Sequence, residues 1–306
     1  MGGAFVAVAS DSSATWWNPA GLAAGPFLDL AIGRAVTEAG DGRRGGRDGA
    51  DWFALATPPF GLAYYRLHII EIQPFDPTTG PAADNRQDRG AGVPVRSLAA
   101  SQLGVTLLRT IFSGLHAGTT LKYVRGTVRR GSEDARLSRS ELLDLGDALA
   151  GGNAEGRFDL DLGVLEVAGP LRIGGSVRNV REPEFGAEDP REPGIRLQRQ
   201  VRVGAAFNPE DATGVPLTVA VDADLRSYSS GTGDRRVVAV GAEHWVASKR
   251  IGIRAGGHFN TVGARERSAT AGLSVSVRSG MYVDGHLVRG GSADDRGWGV
   301  SARVSF

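Results

Sequence analysis

Cysteine is absent from this 306-residue chain, which removes disulfides, thiolate zinc sites, iron–sulfur clusters and cysteine nucleophiles. The absence suits a compartment where stray thiols oxidise. No apolar run approaches the roughly 20 residues a spanning helix needs, so a helical membrane protein is excluded. Lysine occurs only at Lys122 and Lys249, and the rest of the 35 basic residues are arginine. Against 34 acidic residues they leave a net charge of +1. That balance offers no electrostatic footprint for nucleic acid, so none is expected as a partner. The five histidines show no HExxH or zinc-ligand spacing, and neither a Walker loop nor a nucleophile elbow occurs. Neither catalysis, a cofactor nor a metal is expected.

Glycine is abundant instead: 45 residues, about twice the roughly 7% of an average protein. With 14 prolines and many short runs of Val, Ile, Leu, Thr and aromatics, the composition points to an all-β chain with many turns. Alternating segments of about ten residues recur from Phe27 onward, the period of half-buried strands. They predict fourteen strands, at 27–36, 50–57, 60–72, 98–112, 114–128, 156–167, 169–180, 197–207, 215–227, 235–246, 250–259, 267–278, 280–289 and 296–306.

The connections alternate in length. Short ones fall at Thr57-Pro58-Pro59, Ser113-Gly114, Ala168-Gly169, 247–249 and Ser279-Gly280. Longer polar stretches lie at 37–49, 73–97, 129–155, 181–196, 228–234, 260–266 and 290–295; the connection 208–214 is less tidy. Tight turns at one end and long loops at the other mark an up-and-down outer-membrane barrel, the one sheet that satisfies every backbone group in lipid. The fold class expected is therefore an all-β, transmembrane antiparallel barrel of 14 strands. A soluble or periplasmic β-protein is the less favoured alternative.

Strand faces agree with a barrel. Leu115, Ala117, Thr119, Leu121 and Tyr123 alternate with His116, Gly118, Thr120 and Lys122, and Leu217 to Leu225 alternate with Thr218 to Arg226. The last segment places Val300, Ala302, Val304 and the terminal Phe306 on one face. It resembles the terminal signal read by barrel-assembly machinery, although an edge strand that happens to stop at Phe would look the same.

Residues 1–26 do not alternate. They contain Asn18, Pro19 and Ala20, and Asn followed by Pro is a helix start: Asn caps free backbone donors and Pro has none to lose. The run from Gly2 to Ala23 resembles the N-terminal signature of the outer-membrane hydrophobic-compound transporter superfamily, typified by the long-chain fatty-acid transporter FadL and including PorV-type secretion barrels. Gly174 to Val180, Val240 to Trp245 and Ile253 to Gly257 also resemble that family. The resemblance implies a plug segment (1–26) carrying the NPA motif ahead of the barrel (27–306), with outer-membrane lipids and a hydrophobic small molecule as partners. It also implies a distorted third strand, about Phe60 to Ile72, with a lateral opening; Gly61 is the local sign. The alternative is a structural barrel holding secretion-complex proteins. Family members are exported by a signal peptide, and Gly2 to Ala9 is too weakly apolar and lacks a basic leader. The expectation is a leader removed or missed by a late start.

Inward polar groups form the remaining candidate site. A turn centred near Ser248 makes Glu243 and Arg254 near cross-strand neighbours. Asp222, Asp224, Arg226, His258 and Asp284 are expected beside them in a lumenal network, which either braces the barrel and plug or meets substrate. In the long stretch 73–97, Pro74, Phe75, Pro77 and Pro81, following Ile69, Ile70 and Ile72, could hold an acyl chain or pack the loop onto the rim.

Overall fold

The computed structural model describes residues 1–41, 44–72, 92–134, 136–187, 194–231, 233–263, 266–291 and 295–306. Its strands are β1 (Asp29–Asp41), β2 (Arg44–Thr57), β3 (Phe60–Ile72), β4 (Val93–Phe112), β5 (Leu115–Glu133), β6 (Ala154–Ala168), β7 (Leu171–Arg178), β8 (Glu184–Phe185), β9 (Ile195–Arg196), β10 (Gln200–Phe207), β11 (Leu217–Asp224), β12 (Tyr228–Ser230), β13 (Gly233–Arg235), β14 (Val237–Val246), β15 (Ile251–Asn260), β16 (Arg267–Arg278), β17 (Met281–Gly290) and β18 (Arg296–Ser305). Fourteen of them form one closed antiparallel barrel, while β8–β9 and β12–β13 are separate two-stranded ladders. Closure runs from Asp29↔Ser305 to Glu38↔Arg296 between β1 and β18. Beyond that ladder, the Phe306 amide donates to the Leu28 carbonyl at 2.8 Å.

Side chains sort by alternation. Ile32, Leu107, Leu121, Val164, Ile173, Ile253, Val283, Leu287 and Val300 are exposed on the outer face, whereas Ala54, Ala63, Leu98, Ala100 and Ala239 are buried. The outward apolar run along β18 and the terminal residue spans nine residues, from Trp298 to Phe306, rising about 20 Å at a strand tilt of about 40°. Such a belt wants an apolar medium, and the closed ladder leaves no edge in it.

Several expected boundaries shift. The stretch 37–49 is mostly strand rather than loop: β1 and β2 pair as far as Asp41↔Arg44. Its glycines and charges read as a loop, but ladder partners hold its backbone, β18 as far as Glu38↔Arg296 and β3 from Gly45↔Ile72. β4 and β5 likewise extend through 93–97 and 129–133. Pro74, Phe75, Pro77 and Pro81 lie outside the described residues. The third strand is not distorted: β3 pairs without a register shift against β2 and against β4, so the expected lateral opening is not found there.

Wall height is uneven. β4 and β5 have 20 and 19 residues, but β7, β10 and β11 have only 8 each. The tall side is buttressed by α2 (Arg139–Ala148), whose Leu142 and Leu143 cover Ile70, Ile72 and Val95 on the side opposite the lumen. Ser138 and Glu141 close a capping box at its start.

Candidate functional site

The lumen is filled chiefly by the chain's own N-terminal segment, containing α1 (Ala14–Trp17) and a 3₁₀ turn over Pro19–Ala24. Its main chain runs along a line of inward glycines. A Cβ on Gly241 or Gly256 would overlap Met1, one on Gly174 would overlap the Val6 carbonyl, and Gly163 and Gly118 leave room for Asn18, Pro19 and Ala20. Gly61 faces Leu22, Thr15 and Thr106; its role is to make room for the plug, not to bend the strand. At Gly118, Gly174, Gly241 and Gly256 the missing side chain lets backbone lie on backbone.

Asn18, fully buried, ties this segment together. Its Nδ2 donates to the Val6 carbonyl at 2.8 Å and to the Val164 carbonyl of β6 at 2.9 Å, and its Oδ1 accepts from the Ala20 amide at 3.1 Å. Pro19 opens the 3₁₀ turn without a donor to lose, and Ala20 is buried against the wall. Asp222 of β11 accepts both the Phe5 and Val6 amides, at 2.8 and 2.9 Å. Asp29 accepts the Ser12 amide at 2.9 Å, and the Thr270 hydroxyl accepts that of Gly2 at 2.8 Å. Trp16 is sandwiched between the Tyr65 ring, 4.7 Å away, and the Arg178 guanidinium, 3.6 Å from its centroid.

Other expected network members divide into groups. Glu243 and Arg254 are direct partners in the β14–β15 register and ion-paired. Arg254 Nη1 also reaches Asp284 at 3.1 Å, and Ser274 bonds the same carboxylate. Asp224 sits apart, paired with Arg202 at 2.7 Å and accepting the Val237 amide at 2.8 Å. His258 Nδ1 lies 3.2 Å from the Gly2 carbonyl, the geometry of an Nδ1–H tautomer. Arg226 does not join: β11 ends at Asp224, and Arg226 is exposed in the following connection. Val300, Ala302 and Phe306 are exposed on the outer face of the closing ladder, with Val304 partly covered.

A buried ionic cluster went unread in the sequence. Lys122 of β5 is 2.6 Å from Asp161 and 2.8 Å from Asp159, both on β6, and donates to Asn179 at 2.7 Å. Its side chain is 1% exposed. The available signal was a rare lysine on the polar face of an alternating strand. The cluster lies where β6 loses its neighbour, since β6 pairs β5 from Ala154 onward but β7 only from Leu162. Asn179, with φ 54°, turns the chain out of the wall, and its amide donates to Asp161 at 2.8 Å.

Past that turn, the β8–β9 ladder packs within the tall side of the barrel. Phe185 and Ile195 join Tyr65, Leu67, Leu98 and Val128 in one buried cluster. Beside this ladder is a cavity of about 240 Å³, lined by Glu71, Arg96, Glu184, Arg196, Gln198 and Ser229 among others. Next to the plug, between Val6, Trp17 and Arg178, there is only about 10 Å³. Among the described residues no group of three or more His, Asp or Glu could hold a metal ion.

Similar structures share this architecture. The monoaromatic hydrocarbon channel CymD superposes with a TM-score of 0.66 at 13% identity, over 98% of this chain and 94% of that one. The toluene transporter TbuX of Ralstonia pickettii gives 0.60 at 14%, over 96% and 94%, and the toluene transporter TodX of P. putida gives 0.59 at 10%, over 97% and 95%. These likenesses are of fold, that of the FadL-type barrels. No curated protein sequence matches the chain. A family model matches residues 62–224, from β3 to the end of β11, just over half of the length. The chain therefore belongs to the family described as F plasmid transfer operon, TraF, protein.

Proposed function

We propose that the protein is an outer-membrane channel through which hydrophobic small molecules of the aromatic-hydrocarbon or fatty-acid type pass without covalent change, gated by residues 1–26. One observation carries the reading. The lumen is closed by a continuous segment of the chain itself, seated by hydrogen bonds and glycine contacts that are separate from the ladder bonds of the wall. A closed apolar belt outside such a lumen suits lipid, and the fold shared with hydrocarbon channels fits the same use. Lipids, the cargo and the barrel-assembly machinery that would read Val300 to Phe306 are the partners this reading requires.

The test is toluene uptake into vesicles carrying the purified protein, alongside a chain lacking residues 1–20. Uptake above that of empty vesicles, increased by the deletion, is the expected result. Uptake equal to empty vesicles for both proteins refutes the channel.

A second reading has its own support. Membership in a family described by a plasmid-transfer operon, together with the polar cavity at the long-loop end, suits a structural barrel that scaffolds a secretion or surface-assembly complex. That reading expects co-purified envelope proteins whose retention depends on the long loops, and no uptake of toluene.

A further inference from the structure

The barrel already holds one small aromatic hydrocarbon group: the side chain of Phe185. It is completely buried, and its ring lies against Gly126 of β5, where a Cβ would overlap Cδ1, Cγ and Cε1. Around it stand Tyr65, Leu98, Val124 and Val128. The one polar atom these side chains bring, the Tyr65 hydroxyl, is turned to Thr15 at 3.2 Å.

Pocket and occupant differ in how firmly they are held. The walls come from β3, β4 and β5, whose ladders run in register from Phe60↔Leu107 to Ile72↔Val95 and from Val93↔Glu133 to Thr110↔His116. Phe185 rides instead on β8, whose ladder partner among the described residues is β9, over Glu184↔Arg196 and Phe185↔Ile195. Two hydrogen bonds tie the next residue to the wall: the Gly186 amide donates to Glu155 and its carbonyl accepts from Arg130, each at 2.6 Å. The cavity of about 240 Å³ borders this same ladder at Glu184, Ile195 and Arg196. Withdrawing the ladder therefore breaks the two Gly186 bonds and meets open space at its border, while the walls keep their own ladder bonds.

We propose that the Phe185 ring is a built-in stand-in for cargo, and that the pocket over Gly126 binds a single aromatic hydrocarbon ring once β8–β9 withdraws. The proposal rests on the channel reading above and adds where the cargo sits and which class it is. A phenylalanine side chain is chemically toluene tethered at its methyl carbon. A dry apolar site shaped to it accepts a free ring of that size, as engineered aromatic-sized cavities accept benzene. The tethered ring competes with the free one, so native affinity is reduced by the fraction of time the pocket is empty.

The experiment is toluene titration of the detergent-purified full chain by calorimetry, comparing native protein with Phe185→Ala and with Phe185→Ala/Gly126→Leu, and n-heptane as the non-aromatic probe. Phe185→Ala is expected to bind one toluene per barrel at least ten-fold more tightly than native protein and in preference to n-heptane, and Gly126→Leu is expected to abolish the gain. A folded Phe185→Ala barrel that binds toluene no more tightly than native overturns the proposal. Should the truncation not fold, 4-fluorophenylalanine at position 185 serves in the native background. Its ¹⁹F resonance should move as toluene saturates, and an unmoved resonance overturns the proposal equally. Failure of the channel is separable: tighter binding by Phe185→Ala without vesicle uptake leaves the pocket standing and sinks transport, whereas uptake without tighter binding sinks the pocket alone.

Discussion

Asn18 and Val164 are joined by a hydrogen bond of 2.9 Å between a side-chain amide of the plug and a main-chain carbonyl of the wall. The same nitrogen holds the Val6 carbonyl. Asn18→Ala removes the donor from both, at about 1–3 kcal/mol for a buried group left unsatisfied. The loss falls on the seating of residues 1–26, not on the ladder. Hydrogen exchange should show faster exchange at Val6 and Ala20, with the amides of β4 and β5 unchanged. Equal acceleration throughout the barrel would contradict this division.

A methyl group added to the wall makes the same point sterically. Gly118→Ala would drive a Cβ into the main chain of Pro19 and Ala20, whereas Gly285→Ala meets nothing nearer than the Gly299 carbonyl oxygen at 3.9 Å. Overpacking costs about 1–3 kcal/mol. Gly118→Ala should therefore raise protease sensitivity within residues 1–26, and Gly285→Ala should leave it at the native level.

Lys122→Met takes the cation from between Asp159 and Asp161 while keeping most of the side-chain volume. Removing one partner from a buried ionic cluster costs about 3–5 kcal/mol. Urea unfolding in detergent should register that loss. Adding Asp159→Asn and Asp161→Asn to the same chain should restore much of it, because the uncompensated charges go with them.

The outer buttress α2 has a pH limit set by its cap. Bonds from the Ser138 hydroxyl and amide hold the Glu141 carboxyl below its ordinary value of 4.5. A depressed pKa means that the cap's contribution is fully present above 4.5 and is lost as pH falls through the lower folded value. The protection factors of the first-turn amides of α2, corrected for intrinsic exchange, should be unchanged from neutrality to about pH 5 and fall only at more acidic pH. Glu141→Gln should flatten the profile.

The fold was largely legible because alternation continued through fourteen strands and tight turns recurred at every second connection except the one between β10 and β11. What misled was chemistry shared by loops and barrel rims. Gly40, Gly45, Gly46 and Arg47 look like a loop, yet β2 and β3 pair along Gly45↔Ile72 to Arg47↔Ile70. Parity put Arg226 inward on a strand that stops at Asp224, since nothing local marks where the hairpin partner ends. Asp222 and Glu243 could be placed on the lumenal face by counting alone. Glu243 could also be matched with Arg254 across the turn near Ser248, but the partners of Asp222 could not be found, because Phe5 and Val6 are remote in sequence. Lys122 was hidden for the same reason: its three partners come from β6 and from the turn after β7.

The glycine line also couples mutational freedom across the two surfaces it brings together. Where Gly118, Gly241 and Gly256 touch peptide units instead of side chains, every substitution adds bulk, so these wall positions are locked to one amino acid. The opposing peptide is held as tightly: Gly2 has φ 61° and no room for a Cβ against Gly257, and Ala20 is fully buried. Sequence drift should therefore spare both partners of the contact, groove and insert alike.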